Sequence, residues 1–175
     1  MQKLAVIADV HDNLVNLEKA LSYIKKEKID YLISLGDLQS LEAWQILDEL
    51  ALPVWAVMGN ADKDIIGEKN LRAALKNIHF SVNVATVELA NQKIIFGHYP
   101  EIIKKIILRY PDKYALALAG HTHLPWEEKI GLTKLLNPGN IANIRCAPTM
   151  AIIPSVYNQF PFLGRTQRSL PLITS

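Results

Sequence analysis

The stretch KLAVIADVHDN, residues 3–13, decides the fold because a run of apolar residues ends there in a cluster of polar ones. A short apolar run with a polar boundary is typical of a buried strand. Beyond Asn13, apolar residues recur at helical spacing with charged residues between them, at Leu14, Leu17, Leu21 and Ile24. We therefore expect a strand that leads directly into a helix with one apolar face.

The same pattern of a strand followed by a helix recurs twice further along the chain. YLISLGD (31–37) precedes the helical pattern LEAWQILDEL (41–50), and PVWAVMGN (53–60) precedes GEKNLRAALKN (67–77). Strands that alternate with helices in this way are typical of a mostly parallel sheet, with right-handed crossovers and helices on its faces.

From about residue 79 the pattern changes. HFSVNVATVELANQKIIFGH (79–98) predicts two strands joined at residues 90–92, which form an antiparallel hairpin. The elements expected after it are a helix, a strand, a second hairpin that turns near Gly131 and a last strand, over residues 101–110, 114–120, 126–139 and 149–157. The sequence thus predicts an α/β layer sandwich of two sheets with mixed strand directions.

The length and composition of the chain favour one domain. Its 175 residues, of which 50% are hydrophobic, are enough to bury a substantial core. We assign residues 1–157 to this domain and residues 158–175 to a C-terminal surface tail, because that segment is polar, rich in proline and without periodicity. Phe160 and Phe162 are the tail residues expected to dock on the domain.

The charge and hydropathy patterns exclude several classes of protein. Lysine and arginine number 19 against 17 aspartate and glutamate residues, so we expect no strong binding to nucleic acid. The apolar run from Leu4 to Ala8 is too short for a signal peptide or a membrane span. The lone Cys146 cannot form an internal disulfide, and we interpret it as a structural residue. These features predict a cytoplasmic protein that does not enter the membrane.

Polar side chains follow the ends of the expected strands in five clusters. These clusters contain four of the five histidines and lie at residues 9–11, 36–37, 59–62, 97–98 and 120–123. Open α/β sheets bind ligands just beyond the carboxyl ends of their strands. The remaining histidine, His79, begins a strand without such a motif, so we leave it out of the site.

The residue types in these clusters suit a metal site. Imidazole nitrogens together with carboxylate and amide oxygens are ligands for manganese, iron, cobalt, nickel or zinc rather than for calcium. In DVH (9–11) and HTH (121–123), residues two apart on an extended segment point the same way and can converge on one ion. Taken singly, the Gly-Asp and Gly-Asn pairs are ordinary turn signals, and His98 could be a half-buried histidine. Their coincidence with five strand ends favours metal binding.

Taken in order, the motifs DVHDN, GD, GNAD, GH and GHTH, with NPGN at 137–140, resemble the calcineurin-like metallophosphoesterase superfamily. The most similar branch is that of the small single-domain YfcE-like phosphodiesterases. The resemblance covers roughly residues 4–157. It implies an αββα sandwich with a dinuclear metal centre at one edge of the sheets.

The resemblance also implies a role for each motif residue. Asp9, His11 and His123 are expected to bind one metal ion, and Asn60, His98 and His121 the other. Asp37 is expected to bridge the two ions, and a bridging hydroxide to attack phosphorus directly. Asp37, Asn60 and His98 are thus the expected catalytic residues. The cofactor implied is a pair of divalent ions, with Mn²⁺ expected and Ni²⁺, Co²⁺, Fe²⁺ or Zn²⁺ as alternatives.

Other positions are expected to support the site or depart from the family pattern. Asn13 and Asn60 are candidate substrate contacts, together with the backbone near residues 139–140. Ala61 stands where many superfamily members have a histidine read as a leaving-group acid, and YfcE-like members have a cysteine. Asp62 either caps the following turn or orients a ligand.

These observations predict a metal-dependent phosphodiesterase that hydrolyses small phosphodiesters. Phosphomonoesterase activity is the alternative within the enzyme class. Two alternatives lie outside it: a metal-binding module without turnover, and a scaffold like the vacuolar sorting subunit of retromer, which resembles this fold but has lost part of the ligand set. The sequence also leaves a homo-oligomer open, with a contact surface marked by exposed tryptophan at Trp44, Trp55 or Trp126, although a core position is favoured for Trp55.

Overall fold

Two β-sheets lie face to face in the computed structural model, which describes residues 2–154 and 167–169. In chain order the strands are β1 (Lys3–Ile7), β2 (Tyr31–Ser34), β3 (Val54–Val57), β4 (His79–Ser81), β5 (Val84–Leu89), β6 (Gln92–Gly97), β7 (Leu116–Ala119), β8 (Pro125–Ile130), β9 (Thr133–Pro138), β10 (Thr149–Pro154) and β11 (Gln167–Ser169). The helices are α1 (Leu14–Lys26), α2 (Leu41–Asp48), α3 (Asn60–Ile65), α4 (Glu68–Ala74) and α5 (Pro100–Arg109).

Both sheets contain parallel and antiparallel strands. The six-stranded sheet has the order β11-β10-β1-β2-β3-β4, in which β1 to β4 are parallel and β10 runs antiparallel to both of its neighbours, β1 and β11. The five-stranded sheet has the order β5-β6-β7-β9-β8, in which β6, β7 and β9 are parallel and the edge strands β5 and β8 are antiparallel. This arrangement confirms the predicted α/β sandwich of two mixed sheets.

Three apolar layers hold the sandwich together. Leu4, Val6, Ile33, Phe96 and Leu118 belong to the buried cluster between the two sheets. Helices α1, α2 and α4 pack on the outer face of the six-stranded sheet, and α5 packs on the outer face of the five-stranded sheet. The order of layers is therefore α, β, β, α, as the resemblance implied.

The hairpin expected over residues 79–98 is partly wrong. Its first residues form β4, which pairs in parallel with β3 in the six-stranded sheet. The chain then crosses to the other sheet, and only β5 and β6 make the antiparallel hairpin. The crossing is tight, since the hydroxyl of Ser81 donates to the carbonyl of Val84. The alternation of apolar and polar residues continues through this crossing, so the sequence pattern contains no break at it.

The expectations for the C-terminal segment fall mostly outside the described residues. Residues 155–166 and 170–175 are not described, and they include Phe160 and Phe162. Within this segment Gln167–Ser169 forms β11, an antiparallel partner of β10 that the sequence pattern did not indicate. The boundary between a domain at 1–157 and a tail at 158–175 stays a prediction.

The tryptophans do not form an exposed surface. Trp44 is fully buried and packs edge-on against Phe80, so the expectation that it could mark a contact surface is wrong. Trp55 and Trp126 are half-buried, and Trp55 stacks on the ring of His79. Whether the protein forms a homo-oligomer stays a prediction. None of the helices described is both long and apolar enough to cross a membrane.

Candidate metal centre

Seven polar side chains meet where parallel strands of both sheets end. Asp9 and His11 follow β1, Asp37 follows β2, and Asn60 begins α3 just after β3. On the other sheet, His98 follows β6, while His121 and His123 follow β7. Since the parallel strands within a sheet end at the same edge, each sheet presents its residues along one rim. The structure brings together all seven residues that the sequence proposed as metal ligands.

Asp9, His11 and His123 form the first group of ligand atoms. Nε2 of His11 lies 3.1 Å from Nε2 of His123, which in turn lies 3.5 Å from Oδ1 of Asp9. One atom from each of the three residues lies within 4.8 Å of the others. The spacing is suited to three ligands that share one cation.

Asp37, His98 and His121 form the second group, and Asn60 lies beside it. Nε2 of His98 is 3.4 Å from Oδ2 of Asp37, 3.2 Å from Nδ1 of His121 and 3.1 Å from Oδ1 of Asn60. The ligand atoms of Asp37, His98 and His121 also lie within 4.8 Å of one another.

Asp37 lies between the two groups. Its Oδ2 atom is 3.8 Å from Nε2 of His11 in the first group and 3.4 Å from Nε2 of His98 in the second. The carboxylate is 1% exposed, and its other oxygen accepts a 2.8 Å hydrogen bond from the backbone N–H of Ala61. The geometry allows one carboxylate to contact both groups.

The residues fit a pair of divalent cations. Asp9 and Asp37 are buried carboxylates, and a buried anion is costly unless it is paired, hydrogen-bonded or bound to a metal. Two pairs of imidazole nitrogens also face each other at short range, Nε2 of His11 with Nε2 of His123 at 3.1 Å and Nε2 of His98 with Nδ1 of His121 at 3.2 Å. A cation at each group would accept the lone pairs of these nitrogens. The mixed nitrogen and oxygen set favours a transition metal or zinc but does not select one.

Hydrogen bonds fix two of the imidazole rings. Nδ1 of His98 donates to the carbonyl oxygen of Leu35 at 2.8 Å, and Nδ1 of His11 donates to Oε1 of Gln39 at 3.2 Å. When either ring is neutral, its proton therefore sits on Nδ1, and the lone pair of Nε2 is directed into the centre. Gln39 was not singled out in the sequence, which carries no signal for it apart from its position two residues after Asp37.

The backbone explains why these side chains converge. Five of the seven residues have a left-handed backbone, with φ of 54° at Asp9, 45° at His11, 55° at Asp37, 69° at His121 and 61° at His123. The expectation that DVH and HTH converge as extended segments is therefore wrong. The chain instead turns sharply after each strand, in a conformation that Asp, Asn and His adopt more readily than other residues with a side chain.

Glycines allow the loops of the six-stranded sheet to approach one another. Gly36 has a φ of 91°, and a Cβ atom there would lie 2.3 Å from the backbone nitrogen of Gly59. A Cβ atom on Gly59 would lie 1.9 Å from Oδ1 of Asp37. This close packing leaves no room for a side chain at either position, which explains the glycine before Asp37 and before Asn60.

Burial and neighbouring charges shift the pKa values of the two carboxylates in opposite directions. Burial raises the pKa of Asp9 from 3.8 to about 7, although the charge of His98 opposes the shift. Burial also acts to raise the pKa of Asp37, but a hydrogen bond and the charge of His98 outweigh it and hold the pKa below its usual value.

The histidines respond to the same surroundings. Burial acts to lower the pKa of His98, but the hydrogen bond and charge of Asp37 outweigh burial and raise it. Burial lowers the pKa of His121 and His123, and the charges of His98 and His11, respectively, lower it further. Without metal, one proton-binding pair thus forms between Asp37 and His98, while the two outer histidines favour the neutral form that binds cations.

Asn13 and Asn140 support the loops around the centre. Oδ1 of Asn13 caps α1 by accepting the N–H of Asn16, and its Nδ2 donates to the carbonyl of Ala142. Both polar groups are engaged, so the geometry does not favour the expected contact between Asn13 and substrate. The side chain of Asn140 donates to the carbonyl oxygens of His123 and Ile144, and thereby joins the loop after β9 to a candidate ligand.

Tyr99 is a residue at this site that the sequence analysis missed. Its ring packs edge-on against His98 and His121, with centroid separations of 4.9 and 4.8 Å. Its hydroxyl donates to Oδ1 of Asn60 at 3.4 Å. Its position directly after His98 was the one available signal.

Comparison with known proteins places these features in a family. The family model for the calcineurin-like phosphoesterase superfamily domain matches residues 2–155. Phosphodiesterase MJ0936 of Methanocaldococcus jannaschii is 27% identical over 165 residues, which cover 90% of this chain and 96% of that protein. Phosphodiesterase YfcE of Escherichia coli K12 is 26% identical over 161 residues, which cover 81% of this chain and 80% of that protein.

Solved structures share the fold. An archaeal phosphodiesterase has a TM-score of 0.75 and 24% sequence identity, over 87% of this chain and 93% of its own. Vacuolar protein sorting 29 from Cryptosporidium parvum has a TM-score of 0.65 and 19% identity, over 86% of this chain and 83% of its own. At these levels of identity, the likeness establishes the arrangement of the two sheets and the helices.

Proposed function

The chain belongs to the calcineurin-like phosphoesterase superfamily and is a hydrolase of phosphoric esters, and from this premise we propose that it is a metal-dependent phosphodiesterase. It hydrolyses small phosphodiesters by direct attack of water on phosphorus at a centre of two divalent cations. Mn²⁺ is the metal we propose first.

The position of Asp37 is the observation that carries this proposal. Its Oδ2 atom lies within 3.8 Å of an imidazole nitrogen in each ligand group. A carboxylate between two cations offsets their mutual repulsion, which lets them share one site. We assign Asp9, His11 and His123 to one ion, and Asn60, His98 and His121 to the other.

The side chains of the centre have distinct tasks in this mechanism. When bound, a pair of divalent cations lowers the pKa of water and offsets charge on the phosphate. The seven side chains include no hydroxyl or thiol, and their carboxylates and imidazoles would be engaged as metal ligands, which supports water rather than a side chain as the nucleophile. Asp37 and His98 hold their positions through the contacts between them and through the bond from His98 to Leu35.

Asn60 is proposed to contact the substrate as well as a cation. Its Oδ1 atom faces His98 and Tyr99. Among the described contacts, its amide nitrogen donates to no protein atom and is free to donate to a phosphate oxygen. The position now held by Ala61 offers no proton donor to a leaving group, so we expect activated diesters to react much faster than unactivated ones.

The names of the relatives favour diesters over monoesters, because MJ0936 and YfcE are both called phosphodiesterases. The cytoplasmic location expected from the sequence stays a prediction, as does the absence of strong nucleic-acid binding.

The test is hydrolysis of bis(p-nitrophenyl) phosphate and of p-nitrophenyl phosphate by the full chain, with Mn²⁺ added and after treatment with a chelator. We expect the diester to be hydrolysed faster and chelation to abolish both reactions. In the same assays Asp37→Ala should lower activity at least about 100-fold, comparable to the loss of one transition-state contact, and should reduce the metal content. Unchanged activity in Asp37→Ala would refute the assignment.

Two other outcomes identify the alternatives. Faster hydrolysis of the monoester would make the protein a phosphomonoesterase. Binding of two Mn²⁺ ions without hydrolysis of either substrate would indicate a metal-binding module or a scaffold.

A further inference from the structure

Asp62 is a carboxylate that the proposed mechanism does not use. It is fully buried, and it belongs to neither group of ligand atoms. Burial of a carboxylate is costly, so its partners show what the residue does for the protein. The sequence left two readings open for it, a cap for the following turn or a residue that orients a ligand.

Both oxygens of Asp62 are saturated by N–H donors. Oδ2 accepts hydrogen bonds from the backbone nitrogens of Asp37 at 2.7 Å and Gly59 at 2.9 Å. Oδ1 accepts from the backbone nitrogen of Gln39 at 2.8 Å and from the indole nitrogen of Trp44 at 3.0 Å. The bond to Gly59 is the cap at the start of α3, whereas the other three bonds reach beyond that turn.

The donors belong to three separate segments of the chain. Asp37 and Gln39 lie in the loop after β2, Gly59 in the turn after β3, and Trp44 in α2. One carboxylate therefore joins the loop that carries the bridging candidate to the turn that carries Asn60. No cationic side chain pairs with Asp62 in the described residues, so its charge is balanced by these four donors alone.

Two of these hydrogen bonds stabilise the backbone conformation of the loop that carries Asp37 and Gln39. Asp37 and Gln39 have left-handed φ values of 55° and 75°, which are costly for residues with a side chain. Hydrogen bonds from both of their N–H groups to one fixed acceptor hold the loop in that conformation. From there the side chain of Asp37 reaches both ligand groups, and Oε1 of Gln39 accepts a hydrogen bond from Nδ1 of His11.

We infer that Asp62 is a positioning residue for the metal centre: its carboxylate fixes Asp37 between the two cations and, through Gln39, sets the ring orientation of His11. The inference rests on the proposed two-metal function. It assigns to one buried side chain an effect on both ligand groups, although that side chain touches neither metal nor substrate.

The variant Asp62→Asn distinguishes a role in positioning the loop from a role in filling space alone. The amide has nearly the shape of the carboxylate but offers one acceptor oxygen instead of two. Whichever way it turns, its NH₂ group faces two N–H donors, so two of the four bonds are lost. Loss of an outer partner of a metal ligand typically lowers metal affinity by about 10–100-fold.

Asp48 offers a matched control on the same chain. It is also a buried carboxylate, and it accepts backbone N–H groups from residues 76–78 ahead of β4. None of its bonds reaches a residue of the metal centre. Asp48→Asn therefore removes the same kind of interaction and tests whether general destabilisation alone affects metal binding.

The experiment compares Mn²⁺ binding to the wild-type chain, Asp62→Asn and Asp48→Asn by calorimetry, with thermal melting of each metal-free protein. Electron paramagnetic resonance of the Mn²⁺-loaded proteins then reports whether the two ions are coupled through a shared ligand. We expect Asp62→Asn to bind Mn²⁺ about 10–100-fold more weakly and to show reduced coupling. We expect Asp48→Asn to melt earlier with wild-type affinity and coupling.

The outcomes separate this inference from the proposed function. Wild-type affinity and coupling in a folded Asp62→Asn would overturn the inference and leave the function intact. A wild-type protein that binds fewer than two Mn²⁺ ions would overturn the function itself, and the inference with it.

If Asp62→Asn does not fold, Trp44→Phe takes its place in the experiment. This variant removes one of the four hydrogen-bond donors to Asp62 and keeps the charge of the carboxylate. A Mn²⁺ affinity a few-fold below that of Asp48→Asn supports the inference, and equal affinity overturns it.

Discussion

The six-stranded and the five-stranded sheet contribute different chemistry to the candidate metal centre. The loops after β1, β2 and β3 supply both carboxylates, the amide of Asn60 and one imidazole, that of His11. The loops after β6 and β7 supply imidazoles only, from His98, His121 and His123. The negative charge that neutralises two cations therefore comes from one sheet, and the neutral ligands come mostly from the other.

The two sides are also held in different ways. On the six-stranded side, the backbone N–H groups of Val10 and His11 donate to the carbonyl of Asp37. The carboxylate of Asp62 accepts the backbone N–H of Asp37 in the same loop. On the five-stranded side, two neutral amide side chains contribute, since Asn137 donates to the carbonyl of Gly120 and Asn140 to that of His123, while the carboxylate of Asp9 accepts the N–H of His121. We therefore expect substitutions that remove a charged side chain on the six-stranded side to weaken metal binding more than substitutions of neutral residues on the five-stranded side.

Asp9 and His123 allow a direct test, because they are neighbours in one group but come from different sheets. Asp9→Asn should weaken Mn²⁺ binding at that group more than about 1,000-fold, since unit charges 4 Å apart interact by about 4 kcal/mol at an effective dielectric constant of about 20. His123→Asn removes a neutral ligand and should weaken it by about 10–100-fold, measured by calorimetry. Equal losses in the two variants would show that charge does not distinguish the sheets.

A second prediction concerns the metal-free protein, in which the charge of His98 and the N–H of His121 only partly offset the burial of Asp9. Its pKa is raised from 3.8 to about 7, first by burial. Between these values the folded state holds a proton that the unfolded state has lost, so the contribution of Asp9 to stability falls as the pH rises from about 4 to about 7. Asp9→Asn should remove this loss and raise the Tm of the metal-free protein by several degrees at pH 8, with less effect at pH 5.

Asp37 should behave in the opposite sense. Because its pKa is held below the usual value by His98 against the effect of burial, Asp37 stabilises the folded state above its usual pKa, and this contribution is lost on acidification. Asp37→Asn should therefore lower the Tm of the metal-free protein at neutral pH. Melting curves from pH 5 to pH 8 in the presence of a chelator test both variants, and shifts of the same sign would contradict the assignment of opposite environments.

The fold could be predicted from the sequence wherever the spacing of apolar residues in one segment corresponds to a single helix or strand. The helical spacing after Asn13 and the apolar run before it correspond to α1 and β1. The pattern was uninformative at Ser81, where the chain changes sheets while its alternation continues. Helix α3 was missed because Gly59 and Asn60 signal a turn, and its start depends on Asp62, a side chain whose partners include distant segments.

The candidate site could be predicted as a set of residues but not as a geometry. The seven ligand candidates stand directly after apolar runs, which is a local signal. Their left-handed backbones and their supporting partners are not local properties. Gln39 is 28 positions from His11 and Asn140 is 17 positions from His123, so each contact exists only once the strands that precede its two residues have assembled into their sheet.

Asn140 tests how much the neutral supports of the five-stranded side matter. Asn140→Ala removes the amide donor to the carbonyl oxygens of His123 and Ile144 and the acceptor of the N–H of Ile144. Among the described contacts, the carbonyl of His123 then keeps only the thiol of Cys146 as a donor, so the change should cost about 1–3 kcal/mol of stability. By moving His123 it should also weaken Mn²⁺ binding about tenfold.

Asn13→Ala is the matched control, because it removes the cap of α1, at a typical cost of about 1 kcal/mol, and one bond to Ala142, but no bond to a candidate ligand. The interpretation of Asn140 fails if both variants lose the same metal affinity. A loss of substrate affinity in Asn13→Ala, with metal binding intact, would restore the substrate contact expected from the sequence.

Tyr99 connects the two sides of the centre, and its substitution has the smallest expected effect on activity. It follows His98 on the five-stranded side, yet its hydroxyl donates to Asn60 on the six-stranded side. Tyr99→Phe keeps the ring against His98 and His121 and removes one long hydrogen bond, so kcat/KM for a phosphodiester should fall only a few-fold, as expected for a net contribution of about 0.5–1.5 kcal/mol. Mn²⁺ affinity should not change. A loss of metal affinity larger than the loss in kcat/KM would mean that Tyr99 orients Asn60 as a ligand, and that the two sides depend on each other more than their separate supports suggest.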